Sequence, residues 1–206
     1  MLKNQQLVLS LIEDGWLKTP QIIEAFLNIK REDFVPDNEK EIAYLNTALP
    51  IGFNQTISQP LVVAFMLELL QPQKGEKILD IGSGSGWTTA LLSYLVQPNG
   101  KVVAIDIIKE LVSFGENNVR KYNFLDKKIA EFVYGDGKLG YQKYAPYDKI
   151  LVSASSKEIP HKLFKQLKIK GRLVIPINEA IVLLEKISYN KMTKTEFPGF
   201  VFVPLV

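Results

Sequence analysis

The residues of this chain best suited to chemistry lie at 77–86, Lys77-Ile78-Leu79-Asp80-Ile81-Gly82-Ser83-Gly84-Ser85-Gly86. A short apolar run with an acid near its end meets three glycines, and a helix-like run, Trp87 to Val96, follows. That order reads strand, tight turn, helix, the opening unit of a nucleotide-binding α/β sheet. Glycine is needed there because the turn is sharp and a ligand must approach the bare backbone. About 20 residues further on, a second apolar run from Lys101 to Ile105 ends in Asp106. An acid at the tip of the neighbouring strand is placed to accept hydrogen bonds from both hydroxyls of a ribose.

Two cofactor classes use such a layout, and a plain structural turn is the third reading. Dinucleotide enzymes lay a pyrophosphate over the turn, usually with the spacing G-x-G-x-x-G. Here the glycines fall at 82, 84 and 86, and Asp80 stands just before them. A carboxylate there would repel a pyrophosphate but suits a cofactor without phosphate and with a cationic end. S-adenosylmethionine, with its sulfonium and ammonium, is such a cofactor and is favoured over NAD.

Composition narrows the field around that turn. A chain of 206 residues, 47% hydrophobic and 23% charged, is expected to fold as one globular domain with a full core. Within it, 1–60 should form a helical cap and active-site loop, and 61–206 the cofactor-binding sheet. The absence of cysteine excludes disulfides and thiolate metal sites. One histidine argues against a zinc site or a Ser-His-Asp triad, so no metal is expected. The formal charge of +3 does not call for nucleic acid. There is no signal-peptide pattern and no apolar run near 18 residues, so a soluble cytoplasmic monomer is expected.

The elements around the turn can be taken in order. Leu7, Val8, Leu11 and Ile12 predict a first helix. Thr19-Pro20 predicts the N-cap and first residue of a second, with Ile22, Ile23, Phe26 and Leu27 as its apolar stripe. A proline-punctuated loop runs from Arg31 to Pro50. The polar loop 51–60 leads into a helix over Leu61–Leu70, with Ser58 as its N-cap and Pro60 in its first turn. Further helices are expected over Glu110–Tyr122 and around Lys162, Lys165 and Lys168, which would share a solvated face. His161 begins that last helix and is expected to be exposed and uninvolved in catalysis. Strands are expected over 129–134, 146–152, 171–177, 180–187 and 200–205, the last two forming an antiparallel hairpin at the sheet edge. Alternation of strand and helix followed by a hairpin argues for an α/β, doubly wound, mostly parallel sheet.

At these residues the chain resembles the protein-L-isoaspartate O-methyltransferase family. The matching segments are Leu49-Pro50-Ile51-Gly52, Gln55-Thr56-Ile57-Ser58, Leu79 to Gly86, Gly135-Asp136-Gly137, Pro146-Tyr147-Asp148, Gln166-Leu167-Lys168, Gly171-Arg172-Leu173 and Phe202-Val203-Pro204-Leu205. The resemblance implies a seven-stranded Rossmann-like methyltransferase sheet in the order 3-2-1-4-5-7-6. It also implies methyl transfer from S-adenosylmethionine to the α-carboxylate of L-isoaspartyl residues in damaged proteins or peptides, leaving S-adenosylhomocysteine. Ser58 matches the family's active-site serine. Gln55, Thr56, Ile57, Gly82, Ser83, Asp106, Ile107, Asp136 and Gly137 match positions that line its cofactor pocket. Ser58 itself, Asp80 and Gly84 join that set from their place beside the loop and in the glycine turn.

Two positions depart from the family pattern. Val206 stands where members carry a polar residue that reaches the cofactor, and the strand from Ile181 lacks a glycine- and glutamine-containing lead-in. Both fall where the family closes over substrate and cofactor. Another acceptor, such as a different peptide carboxylate or RNA, and a catalytically silent cofactor-binding module are therefore the alternatives. The expected chemistry needs no strong base, because a peptide carboxylate with a pKa of about 3.5 to 4 is ionised at pH 7.

Overall fold

The computed structural model describes residues 3–205. Its elements are α1 (Lys3–Glu13), α2 (Pro20–Asn28), β1 (Leu49–Gly52), β2 (Gln55–Ile57), α3 (Pro60–Leu70), β3 (Lys77–Ile81), α4 (Trp87–Val96), β4 (Lys101–Asp106), α5 (Lys109–Arg120), β5 (Ala130–Tyr134), β6 (Tyr147–Val152), α6 (His161–Gln166), β7 (Leu167–Ile177), β8 (Ala180–Ser188) and β9 (Lys191–Pro198). Short 3-10 turns link several of these. β3 to β9 form one seven-stranded sheet, ordered β5-β4-β3-β6-β7-β8-β9. β3 to β7 run parallel, and β8 lies antiparallel to both its neighbours. This is the doubly wound, mostly parallel arrangement expected from the strand–helix alternation.

The sheet is buried on both faces, as parallel sheets must be. Ile78, Val102, Leu151 and Val174 face a core built with α1 to α5. Leu79, Ile81, Val103, Ile150 and Leu173 face a second core closed by Leu163 of α6 and by Tyr147. Glu68, the acid that interrupts the apolar run of α3, ties the helical cap down. It accepts hydrogen bonds from the Lys18 and Thr19 amides and from the Thr19 hydroxyl, at 2.6–2.8 Å. Thr19 does occupy the N-cap position of α2, but its side chain makes no capping bond because Glu68 takes the hydroxyl.

The edge of the sheet differs from the expected order. Counted from β3 the order is 3-2-1-4-5-6-7, not 3-2-1-4-5-7-6. The cause is connection length. Asn178-Glu179 joins β7 to β8 and Tyr189-Asn190 joins β8 to β9, and two-residue links make chain neighbours sheet neighbours. The last strand is Lys191–Pro198 rather than 200–205. Its polar residues fit an exposed edge, whereas Pro204 lowers the strand propensity of the apolar run after it. The lysine face also dissolves. α6 ends at Gln166, and Lys168 sits on β7, paired with Asp148 at 2.7 Å.

Backbone geometry explains the glycines of the turn. Gly82, Gly84 and Gly86 all have φ between +50° and +85°. A Cβ on Gly86 would lie 2.8 Å from the Gly115 carbonyl oxygen and 3.0 Å from its Cα, so α4 and α5 meet glycine to glycine. Gly86→Ala is therefore expected to destabilise the protein by about 2–4 kcal/mol, from the left-handed backbone and the overpacking together. Urea denaturation checks this; a loss within the error of the midpoint would contradict the close approach.

Candidate active site

Ligands of open α/β sheets bind beyond the carboxyl ends of the strands, where the strand order reverses. In this sheet that point lies between β3 and β6. A cleft sits there, where such sheets place small-molecule sites. It is lined by the glycine turn with Gly82, Ser83 and Gly84, and by Asp106 and Ile107. Gln55, Thr56, Ile57, Ser58 and Gly137 complete the lining named by the sequence. Ten of the twelve residues expected from sequence thus share one cavity.

Asp106 shapes the turn as well as facing the cleft. Its Oδ2 accepts the Gly84 amide at 2.8 Å and its Oδ1 accepts the Ile108 amide at 3.0 Å. An ionised carboxylate has about four acceptor sites. The two amides leave capacity for further donors, as a ribose diol would require.

Asp80 and Asp136 do not line the cleft. β3 is buried on both sides, so neighbouring side chains point to opposite layers. Asp80 shares the face of Ile78 and points into the α4 layer, where its Oδ2 accepts the Thr89 hydroxyl at 2.6 Å. Its side chain is fully buried, and Oδ1 has no partner among the described residues. Burial, opposed by the Thr89 hydrogen bond and helped by the charge of Asp106, pushes the Asp80 carboxyl up to about 7. Any electrostatic effect on a bound cation acts through the turn, not by contact. Asp136 instead caps the 3-10 turn that follows it, accepting the Lys138 amide at 2.8 Å.

Ser58 is not a helix cap. The N-cap of α3 is Gln59, and the Leu61 amide is taken by Asn46 Oδ1 at 3.0 Å. Ser58 lines the cleft, and its hydroxyl makes no hydrogen bond among the described residues. The loop expected before it is a hairpin: β1 and β2 pair antiparallel, turning through Phe53 and Asn54 at positive φ.

Sequence reasoning missed several residues of the cavity. Trp87, first residue of α4, lies on its wall, as do Ser153 and Ala154 just after β6. The position of the latter pair, past the carboxyl end of a central strand, was the available signal. Val203, Pro204 and Leu205 line the cavity too, held by hydrogen bonds between Ser155 and the Val203 carbonyl and Leu205 amide. Val206, singled out in the sequence, lies outside the described residues. Ser83 Oγ and Trp87 Nε1 are buried without a hydrogen-bond partner. Polar atoms of a bound molecule would satisfy them, so the residues present fit a small polar cofactor lying on the turn.

Comparison with known proteins agrees with this geometry. The family model described as Protein-L-isoaspartate(D-aspartate) O-methyltransferase matches residues 2–206. A protein-L-isoaspartate O-methyltransferase of Methanopyrus kandleri is 38% identical over 98% of this chain and 91% of its own. One from Pyrobaculum islandicum is 40% identical over 97% of each chain. Among solved structures, a protein-L-isoaspartate O-methyltransferase superposes with a TM-score of 0.88 at 28% identity, covering 98% of this chain and 65% of that one. A Plasmodium falciparum protein assigned to the same enzyme class, solved with S-adenosyl-L-homocysteine, has a TM-score of 0.86 at 24% identity, covering 100% and 99%. That last likeness bears on the fold.

Proposed function

The chain belongs to the protein-L-isoaspartate O-methyltransferase family, and we propose that its cleft carries out that family's reaction with the residues described above. The protein is an enzyme that moves a methyl group from S-adenosylmethionine to the α-carboxylate of L-isoaspartyl residues in proteins or peptides. The observation that carries the assignment of roles is one cavity lined by Asp106, the glycine turn and Ser58 together.

S-adenosylmethionine supplies an electrophilic methyl group on a cationic sulfur. Asp106 holds its ribose, and the backbone at Gly82–Gly84, with Ser83 and Trp87, binds the rest of the molecule. The Ser58 hydroxyl donates a hydrogen bond to one oxygen of the acceptor carboxylate, leaving the other free to attack. No base is needed, because the acceptor is already ionised at pH 7. Ile57, Val203, Pro204 and Leu205 make an apolar wall that strips water from that carboxylate and holds it in line. No helix among the described residues is long and apolar enough to cross a membrane, which is compatible with action in the cytoplasm.

Ser58→Ala tests the role of Ser58. Loss of a hydrogen bond to a charged group is worth about 1.5–3 kcal/mol, so kcat should fall roughly 10- to 100-fold. Calorimetry should find the S-adenosylmethionine affinity within about twofold of wild type. Equal losses of turnover and cofactor affinity would show that Ser58 belongs to the cofactor site instead.

A further inference from the structure

Arg31 lies in a 3-10 turn, Arg31–Phe34, and its side chain is 0% exposed. Among the described residues no carboxylate pairs with it. Its partners are backbone carbonyls. Nη1 donates to Ala43 and, at 3.4 Å, to Leu45. Nη2 donates to Thr47 at 2.9 Å and to Ser58 at 3.1 Å. The guanidinium carbon lies 5.3 Å from the ring centroid of Trp87, which lines the cleft. Burial lowers the guanidinium pKa to about 10, so the group stays charged at pH 7.

A buried cation without a counter-charge costs several kcal/mol unless dipoles replace its water. Here four carbonyls do so, and they come from two stretches of chain, 43–47 before β1 and Ser58 after β2. A planar fork with five fixed donors can hold carbonyls at several angles; a lysine ammonium, a compact point with three, cannot span them. The carbonyl of Ser58 is thus fixed, while the residue itself lines the cleft and its hydroxyl is unbonded among the described residues.

We propose that Arg31 is the positioning residue of the acceptor side. By gripping the Ser58 carbonyl in the same fork as Ala43, Leu45 and Thr47, it holds the strap Gln55–Ser58 so that the Ser58 hydroxyl meets the acceptor carboxylate. This rests on the role of Ser58 given above. Arg31 touches no reacting atom; it acts through the strap.

The test compares Arg31→Lys and Arg31→Met with Lys186→Met as a matched control. Lys186 is also buried and also grips carbonyls, those of Phe164 and Leu167 at 2.8 and 2.7 Å, but away from the cleft. Amide hydrogen exchange and steady-state kinetics with an isoaspartyl peptide are measured for each folded protein. Arg31→Lys should speed exchange at residues 55–58 about tenfold or more, with the central strands unchanged. It should lower kcat by at least about tenfold while S-adenosylmethionine affinity stays within about twofold. Lys186→Met should lose stability with kcat preserved. Unchanged exchange at 55–58, or faster exchange with an unchanged kcat, overturns the proposal. If Arg31→Met does not fold, Arg31→Lys decides. A wild-type protein inactive on the peptide would sink the acceptor reading, and exchange at 55–58, which needs no acceptor, would then decide the role of Arg31.

Discussion

The ligand-free protein is expected to lose stability as pH rises from about 4 to about 7, and Asp80→Asn is expected to remove much of that loss. The folded-state carboxyl of Asp80 is held near 7, against 3.8 for an ordinary aspartate, chiefly by its burial. Between those values the native protein keeps a proton that the unfolded chain releases. Stability is therefore full below about pH 4 and falls as pH rises through about 7. Keeping that proton over roughly three pH units corresponds to a loss on the order of 4 kcal/mol. Other carboxyls titrate nearby, Glu131 with a lowered value and Glu76 with a raised one. The informative quantity is thus the difference between wild type and variant, from urea denaturation at a series of pH values. Parallel curves would mean that Asp80 is ionised in the folded state. A cofactor with positive charges across the glycine turn would favour that ionised form, so saturating S-adenosylmethionine should shift the window downward.

Asp106→Ala should weaken S-adenosylmethionine binding by about 3 kcal/mol, roughly 100-fold. Two effects add. The variant loses the acceptors offered to the ribose, which are charge-assisted and so worth more than neutral ones. It also frees the Gly84 and Ile108 amides, which the carboxylate now holds at 2.8 and 3.0 Å, and so loosens the turn on which the cofactor lies. Asp106→Asn, which keeps an acceptor for one of those amides, should lose less. Calorimetric titration separates the two variants. Unchanged affinity in Asp106→Ala would contradict both the ribose contact and the turn-shaping role.

The glycine turn and its flanking strands were legible because local rules decide them. Positive φ favours glycine, and β3, α4 and β4 begin and end within a residue of where the pattern places them. The misplaced features depend on what lies across space. Asp80 sits in a strand buried on both faces, so no alternation of polar and apolar residues tells which way it points. Ser58 has the residue type of a helix cap, but Asn46, from a loop 12 residues earlier in the chain, takes that work, as shown by its bond to Leu61. The apolar run 200–205 reads as the closing strand, whereas the edge takes the polar segment Lys191–Pro198, whose neighbours are fixed by two-residue links. Arg31 carries no motif signal; its importance lies in four carbonyls brought together by the fold.

The central claim is that this cleft joins S-adenosylmethionine to an isoaspartyl carboxylate. The most direct measurement is transfer of labelled methyl from S-adenosylmethionine to an isoaspartyl peptide, with the same peptide carrying ordinary aspartate as control. Label on the isoaspartyl peptide, base-labile as a methyl ester is, and none on its twin is the predicted result. Equal labelling of both peptides, or no labelling by a protein that still binds the cofactor, would contradict the account.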